Sequence, residues 1–221
     1  MAAGAIAVVD YGMGNLRSVW QALVHVAAGR EVVVTADPAV LAAAERVVFP
    51  GQGAMPDCMR ELDVRGLRQA VLDAAQSKPF LGICIGQQML FEHSEEGDVP
   101  GLGVFAGQVR RFPAAQMHDA AGRKLKVPHM GWNEVNQAQQ AQYSNAPHPL
   151  WNGIADGARF YFVHSYYVAP LDSACVAGTC NYGIPFTSAV ARDNIFAIQC
   201  HPEKSARAGL ALLANFIDWK P

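Results

Sequence analysis

Short β-branched runs alternate with helical patterns along the first 83 residues, and no other feature restricts the fold of this 221-residue chain as strongly. Residues 6–9, 31–35, 46–49 and 79–83 have the length and content of buried strands. Between the first two runs, Leu16, Val19, Trp20, Leu23 and Ala27 fall on one helical face, with Asn15 placed to cap its start and Gly29 to stop it. Asp37-Pro38 caps and opens a second short helix, because proline at the first helical position gives up no N–H that the helix needs. A third helix is expected over residues 62–76. This alternation predicts an α/β fold: an open, mostly parallel sheet with helices on both faces, whose active site lies at the carboxyl ends of the strands.

The second half reads differently. Segments 103–112, 125–135, 159–168, 174–181, 187–192 and 195–199 are short, aromatic or β-branched and separated by turns, which predicts antiparallel strands extending or flanking the sheet. A closing helix over 206–219 puts Leu210, Leu213, Ala214 and Ile217 on one face, and NQAQQAQYSNAPHP (136–149) reads as a surface loop. With 51% hydrophobic and 16% charged residues, the chain has the balance of one globular domain spanning 1–221. A net charge of −2 supplies no field for nucleic acid or anionic lipid. No apolar run reaches the roughly 18 residues a membrane span needs, and no basic segment of the signal-peptide kind opens the chain. Five cysteines at irregular spacing (58, 84, 175, 180, 200) fit reduced thiols and a cytoplasmic setting. Cys175 and Cys180 read as strand packing, since the pair lacks the two further ligands of a zinc site, and no metal or cofactor is expected.

Residues 79–91, PFLGICIGQQMLF, carry the chemistry. Gly82 and Gly86 stand two residues before and after Cys84, the spacing of a sharp strand–nucleophile–helix elbow that leaves no room for flanking side chains. At a helix start, backbone N–H groups favour a thiolate and can hold an oxyanion. A thiolate attacking an amide also needs a proton donor for the departing ammonia. Of the seven histidines, His201 follows a strand and precedes Pro202-Glu203; an extended His-x-Glu puts both side chains on one side, so that Glu203 can orient the imidazole. Pro50-Gly51-Gln52-Gly53 ends the third strand at the same sheet edge, with glycines that free an N–H to face an oxyanion. Taken singly, each has a plainer explanation: a buried cysteine in a glycine turn, a surface turn, an ordinary strand-to-helix turn.

These three stations, together with DYGMGNLRSV (10–19), VPHMGWNEV (127–135), YFVHSYYV (161–168) and QCHPEKS (199–205), resemble the class I, triad-type glutamine amidotransferases, and among them the glutaminase subunits of imidazole glycerol phosphate synthases, over nearly the whole chain. The resemblance implies a Cys84-His201-Glu203 triad that hydrolyses L-glutamine through a thioester. It implies an oxyanion hole from the amide of Ile85 and that of Gln52 or Gly53, and a glutamine site formed by Gly51, Gln88, Ser165 and Tyr166. It also implies ammonia delivery to a (β/α)8-barrel cyclase subunit that meets Asn15, Trp132, Tyr161 and Lys204.

Simpler roles stand beside these: core aromatics for Trp132 and Tyr161, a solvated lysine for Lys204, a helix cap for Asn15, and satisfied strand histidines for His129 and His164. The chain departs from the usual family pattern at Gln52 (usually Val), at Ile85 and Gln87 (usually Leu and Met) and at Cys200 (usually Phe), the last prone to oxidation if exposed. A glutaminase serving another synthase, a cysteine hydrolase of γ-glutamyl peptides and a non-catalytic binding subunit are the rival readings.

Overall fold

Handedness settles the layout of the first half. In the computed structural model, which describes residues 4–119 and 121–221, β1 (Ile6–Val9) pairs in parallel with β2 (Val32–Thr35) on one side and β3 (Arg46–Gly51) on the other. β3 in turn pairs in parallel with β4 (Phe80–Cys84). The chain therefore runs outward from β1 to β2, then back across β1 to β3 and on to β4. Right-handed crossovers in opposite directions place α1 (Leu16–Val26) on one face and α2 (Pro38–Ala43), α3 (Met55–Val64) and α4 (Arg68–Ser77) on the other. Accordingly α2 packs on α4, while α1 packs on the closing helix α6 (Ala206–Asp218). Covered on both faces, Ile6, Ala7, Val8 and Val9 are all fully buried. The reversal between β1 and β3 opens a crevice at the carboxyl ends of the strands.

Beyond β4 the sheet continues through β15 (Ile195–Ile198), still parallel, and then turns antiparallel at β14 (Ile184–Arg192) and β12 (Tyr166–Pro170). It ends in β7 (Phe105–Arg111), β5 (Phe91–Ser94) and β6 (Val99–Pro100). β13 (Val176–Tyr182) leaves this path to pair with both β14 and β8 (His129–Gln137), and β8 pairs with β11 (Ala158–His164). The expected antiparallel half thus both extends and flanks the parallel one. No helix among the described residues is long and apolar enough to cross a membrane.

Several expectations need correction. The helix expected over 62–76 is two helices, because Gly66 adopts a left-handed φ of 66° and closes α3 with a pair of reverse bonds, Leu67 N–H to Leu62 O and Gly66 N–H to Asp63 O. The helical pattern after Cys84 lasts one turn, α5 (Ile85–Gln88), before Phe91 enters a strand. Trp20 sits at the edge of the α1 face, 37% exposed, its indole N–H donating to Val32 O at 3.0 Å. Segment 136–149 is not simply a surface loop. It contains the small hairpin β9 (Gln139–Gln140) and β10 (Ala146–Pro147), and both Gln140 and His148 are buried. His148 Nδ1 accepts from Leu150 N at 3.1 Å and its ring packs on Phe196 and Trp219, while Nε2 is buried without a hydrogen-bond partner.

The junction of β4 and α5 is packed too tightly for side chains. A Cβ on Gly86 would stand 1.9 Å from the Phe49 carbonyl oxygen, and one on Gly82 would stand 2.9 Å from Ala197 Cβ. Gly86→Ala is therefore expected to cost about 3 kcal/mol or more, read as a lowered midpoint of denaturant unfolding. An unchanged midpoint would mean that the turn yields freely.

Candidate active site

Register brings the first two stations together. Gly51 of β3 lies directly opposite Cys84 of β4, so the PGQG turn and the elbow leave the sheet side by side. Cys84 has φ 57° and ψ −113°, a conformation that costs a non-glycine residue roughly 1–3 kcal/mol and persists only where surrounding packing imposes it. Glycines at 82 and 86 let Ala197 and Phe49 press close enough to do so. Because α5 is a single turn, no long-helix dipole bears on Cys84.

His201 reaches the same point from the strand beside β4. Its N–H donates to Tyr161 O at 2.9 Å and its carbonyl accepts from Ser205 Oγ at 2.6 Å, which fixes the backbone. His201 Nδ1 lies 2.8 Å from Glu203 Oε1, and both side chains are buried, 7% and 1% exposed. The extended geometry expected for His-x-Glu is not what joins them: Pro202–Lys204 is a 3-10 turn, which curls Glu203 back under the ring. Burial alone would lower the His201 pKa, but the Cys84 thiolate and the Glu203 carboxylate outweigh it and push the imidazole up to about 10. Nδ1 being held by a carboxylate, Nε2 is left free of other partners on the Cys84 side.

A cavity of about 270 Å³ opens over these groups, lined by Gln52, Gly53, Cys84, Ile85, Gln88, Glu96, Pro128, Val163, His164, Ser165, Tyr166 and His201. Gly51 does not line it. A Cβ there would meet Tyr11 Oη and Ile85 Cβ, so the absence of a side chain at Gly51 lets the β3 turn lie close to the elbow. Gln52 is exposed, and its carbonyl accepts from the Cys58 thiol at 3.6 Å, which turns the Gly53 N–H of that trans peptide away from Cys58. Gln88 is buried; its Nε2 donates to Tyr166 O at 3.2 Å and to Gln199 Oε1 at 2.9 Å, leaving its own Oε1 without a partner.

Two residues at the site escaped the sequence reading. Glu96 follows the unforeseen β5 and accepts from Met55 N at 2.9 Å; nothing in its sequence neighbourhood foretold that the chain would fold back there. Gln199 was detectable, since strand alternation backward from His201 puts it on the same side, and its Nε2 indeed stands 3.7 Å from Cys84 Sγ. Cys200 points the other way and is fully buried, so the exposure that would make it prone to oxidation is not met.

His129 and His164 are satisfied strand histidines. Tyr166 O can only accept, so His164 Nδ1 carries the proton of that 2.7 Å bond, His164 Nε2 accepts from His129 Nδ1 at 2.9 Å, and His129 Nε2 faces the Asn133 amide at 3.3 Å. Burial lowers their pKa values to about 3 and about 4, so both rings are neutral. Of the residues expected at a partner face, Trp132, Tyr161 and Lys204 form one cluster: the two rings meet edge to face at 6.3 Å and the ammonium lies 5.9 Å from the Tyr161 centroid. Trp132 is 45% exposed, not a core aromatic. Asn15 caps α1, its Oδ1 accepting from Ser18 N at 3.4 Å.

Chain residues 7–219 match the family described as glutamine amidotransferase class-I. The imidazole glycerol phosphate synthase subunit HisH of Dechloromonas aromatica (strain RCB) is 71% identical over 221 residues, covering 100% of this chain and 99% of that one. The protein of the same name from Aromatoleum aromaticum is 69% identical over 216 residues, covering 98% and 99%. Among solved structures, PurLQS from Thermotoga maritima superposes with a TM-score of 0.67 at 19% identity, covering 98% of each chain, a likeness of fold. With a thiol, an imidazole and a carboxylate converging at the carboxyl ends of β4 and β15 in such a fold, the chain belongs to the class I glutamine amidotransferases.

Proposed function

We propose that this protein is the glutaminase subunit of an imidazole glycerol phosphate synthase, working as one amidotransferase domain in the cytoplasm and passing ammonia to a cyclase subunit in histidine biosynthesis. The observation that carries this reading is the convergence of Cys84, held in an elbow, with the buried His201–Glu203 pair over a cavity floored by Gln88. Identity of 71% over 221 residues to an imidazole glycerol phosphate synthase subunit HisH supports the pathway and a partner subunit.

In this mechanism the Cys84 thiolate attacks the side-chain amide carbon of glutamine. The tetrahedral oxyanion takes the Ile85 N–H and an amide of the PGQG turn; of the two candidates there, the Gly53 N–H is the one turned away from Cys58. His201, already an imidazolium, gives its Nε2 proton to the nitrogen, so that ammonia leaves and a thioester remains. Water then adds with His201 as base, the carbon–sulfur bond breaks, and glutamate departs. Glu203 keeps the ring oriented and stabilises its charge throughout.

Glutamine's head group is read by the Ser165–Tyr166 main chain and by Gln88, whose unpartnered Oε1 awaits a donor. Glu96, a carboxylate lining the cavity, suits an α-ammonium. The cyclase, a (β/α)8 barrel, meets the Trp132–Tyr161–Lys204 cluster and Asn15. Beside that cluster, 62%-exposed Met130 offers further apolar surface. Tyr161 also connects this face to the triad, since its carbonyl holds the His201 amide. Free ammonia released with no acceptor would be lost or protonated, which favours a glutaminase that is slow until the cyclase and its nucleotide are bound.

Cys84→Ala is expected to abolish glutamine-dependent synthesis in the reconstituted complex while leaving synthesis from ammonium salts intact. Loss of both would make the cysteine structural. A second expectation concerns His201. Its folded pKa lies above the ordinary 6.5, so its contribution to stability is complete below about 6.5 and is lost as pH rises through about 10. Removing the Cys84 thiolate should lower the His201 titration midpoint, followed by NMR of the imidazole in Cys84→Ala. A midpoint that stays put would mean that Glu203 alone holds the charge.

A further inference from the structure

We propose that Gln199 is a hydrogen-bond donor to the Cys84 sulfur throughout the reaction, and that Gln88 fixes the direction of that donor, so that one carboxamide chain ties the substrate-head site to the nucleophile. This rests on Cys84 being the nucleophile, as proposed above.

A carboxamide next to a sulfur is informative only if its orientation is settled, and here the surrounding groups settle it. The Tyr166 carbonyl oxygen can only accept, so Gln88 must present its NH2 to it, at 3.2 Å. The same NH2 faces Gln199 at 2.9 Å, and two donors cannot meet there; Gln199 must therefore turn its oxygen to Gln88. Its NH2 is then directed at Cys84 Sγ, 3.7 Å away. The Gln199 backbone is held in turn by its N–H donating to Ser188 O at 2.8 Å, and the side chain is fully buried.

A thiol is a weak acceptor and a thiolate a strong one, so a fixed N–H at this distance favours the anion, and more so in a buried site than in water. α5 offers only one turn of backbone amides, which leaves room for a side-chain donor to matter. A neutral donor also suits the neighbourhood, because a second cation would oppose the imidazolium on His201. The same N–H serves again when the thioester breaks and the sulfur leaves with the bonding electron pair as thiolate. Gln199 does not line the cavity, so its effect falls on the sulfur and not on the grip on substrate.

The test uses the full-length chain alone and needs no cyclase. Alkylation of Cys84 by iodoacetamide, followed as peptide mass across pH, gives the thiolate midpoint. Gln199→Met, which keeps the bulk and drops the donor, should raise that midpoint by about one pH unit, and Gln199→Glu should raise it further by placing a carboxylate there. Gln88→Met should shift it in the same direction by a smaller amount, because the Gln199 amide is then free to rotate. In the parent protein, labelled with 15N-glutamine, the Gln199 side-chain NH2 resonances should move with the Cys84 titration and cease to do so in Cys84→Ala. That measurement holds even if the Gln199 variants fold poorly. A parent NH2 signal indifferent to pH, or folded variants with unchanged midpoints, would overturn the proposal. Failure of Cys84 to alkylate in the parent at any pH would instead overturn its reading as the nucleophile, and this proposal with it.

Discussion

The approach of Gly86 to the Phe49 carbonyl governs the geometry of everything around the site. Because no side chain intervenes there, α5 can start directly against β3, and the chain must turn so abruptly at the end of β4 that Cys84 is forced to a φ of 57°. Parallel pairing of β3 with β4 and of β4 with β15 then delivers the PGQG turn from one side and His201 from the other. The elbow is thus a packing result. Its strain is sustained by a sheet whose central strands are buried on both faces, and it cannot relax without opening that core.

Charge in this site is confined to the few groups that need it. Burial opposes an imidazolium at His201, and only the adjacent thiolate and the Glu203 carboxylate overcome that cost. The remaining buried polar groups are neutral and oriented. Tyr166 O is pinned by two donors, His164 Nδ1 and Gln88 Nε2, and each of these is itself fixed by a further bond, to His129 and to Gln199. A carbonyl held in this manner gives the strand at Ser165 and Tyr166 a defined main-chain orientation before any substrate arrives, which reduces the ordering cost of binding.

Much of the fold was legible along the chain because its signals are local. β-branched runs marked β1 to β4 to within a residue or two, and Asn15 and Asp37 announced helix starts through the bonds their side chains make to Ser18 N and Ala39 N. The misses share a cause. Residues 62–76 looked like one helix although Gly66 breaks it, and residues 85–91 looked like one helical run because nothing local ends α5; the pairing of β5 with β7 does. Segment 136–149 looked like open loop because its Gln, Ala, Asn and Pro content is that of solvated chain, whereas Gln140 donates to Ala191 O of β14 and the His148 ring packs on Phe196 of β15 and on Trp219 just after α6.

By itself the sequence determined the α/β class, the glycine-flanked cysteine, the histidine–glutamate pair and the likeness to amidotransferases, since these depend on residue type and short spacing. Tertiary structure alone decided which distant groups meet. Strand register set Gly51 beside Cys84, a 3-10 turn rather than an extended segment joined His201 to Glu203, and chain reversal after α5 brought Glu96 to the cavity. The direction of the Gln199 amide was likewise beyond sequence. It follows from one Gln88 NH2 group serving two acceptors, Tyr166 O and Gln199 Oε1, across three separate segments, a relation that exists only when the chain is folded.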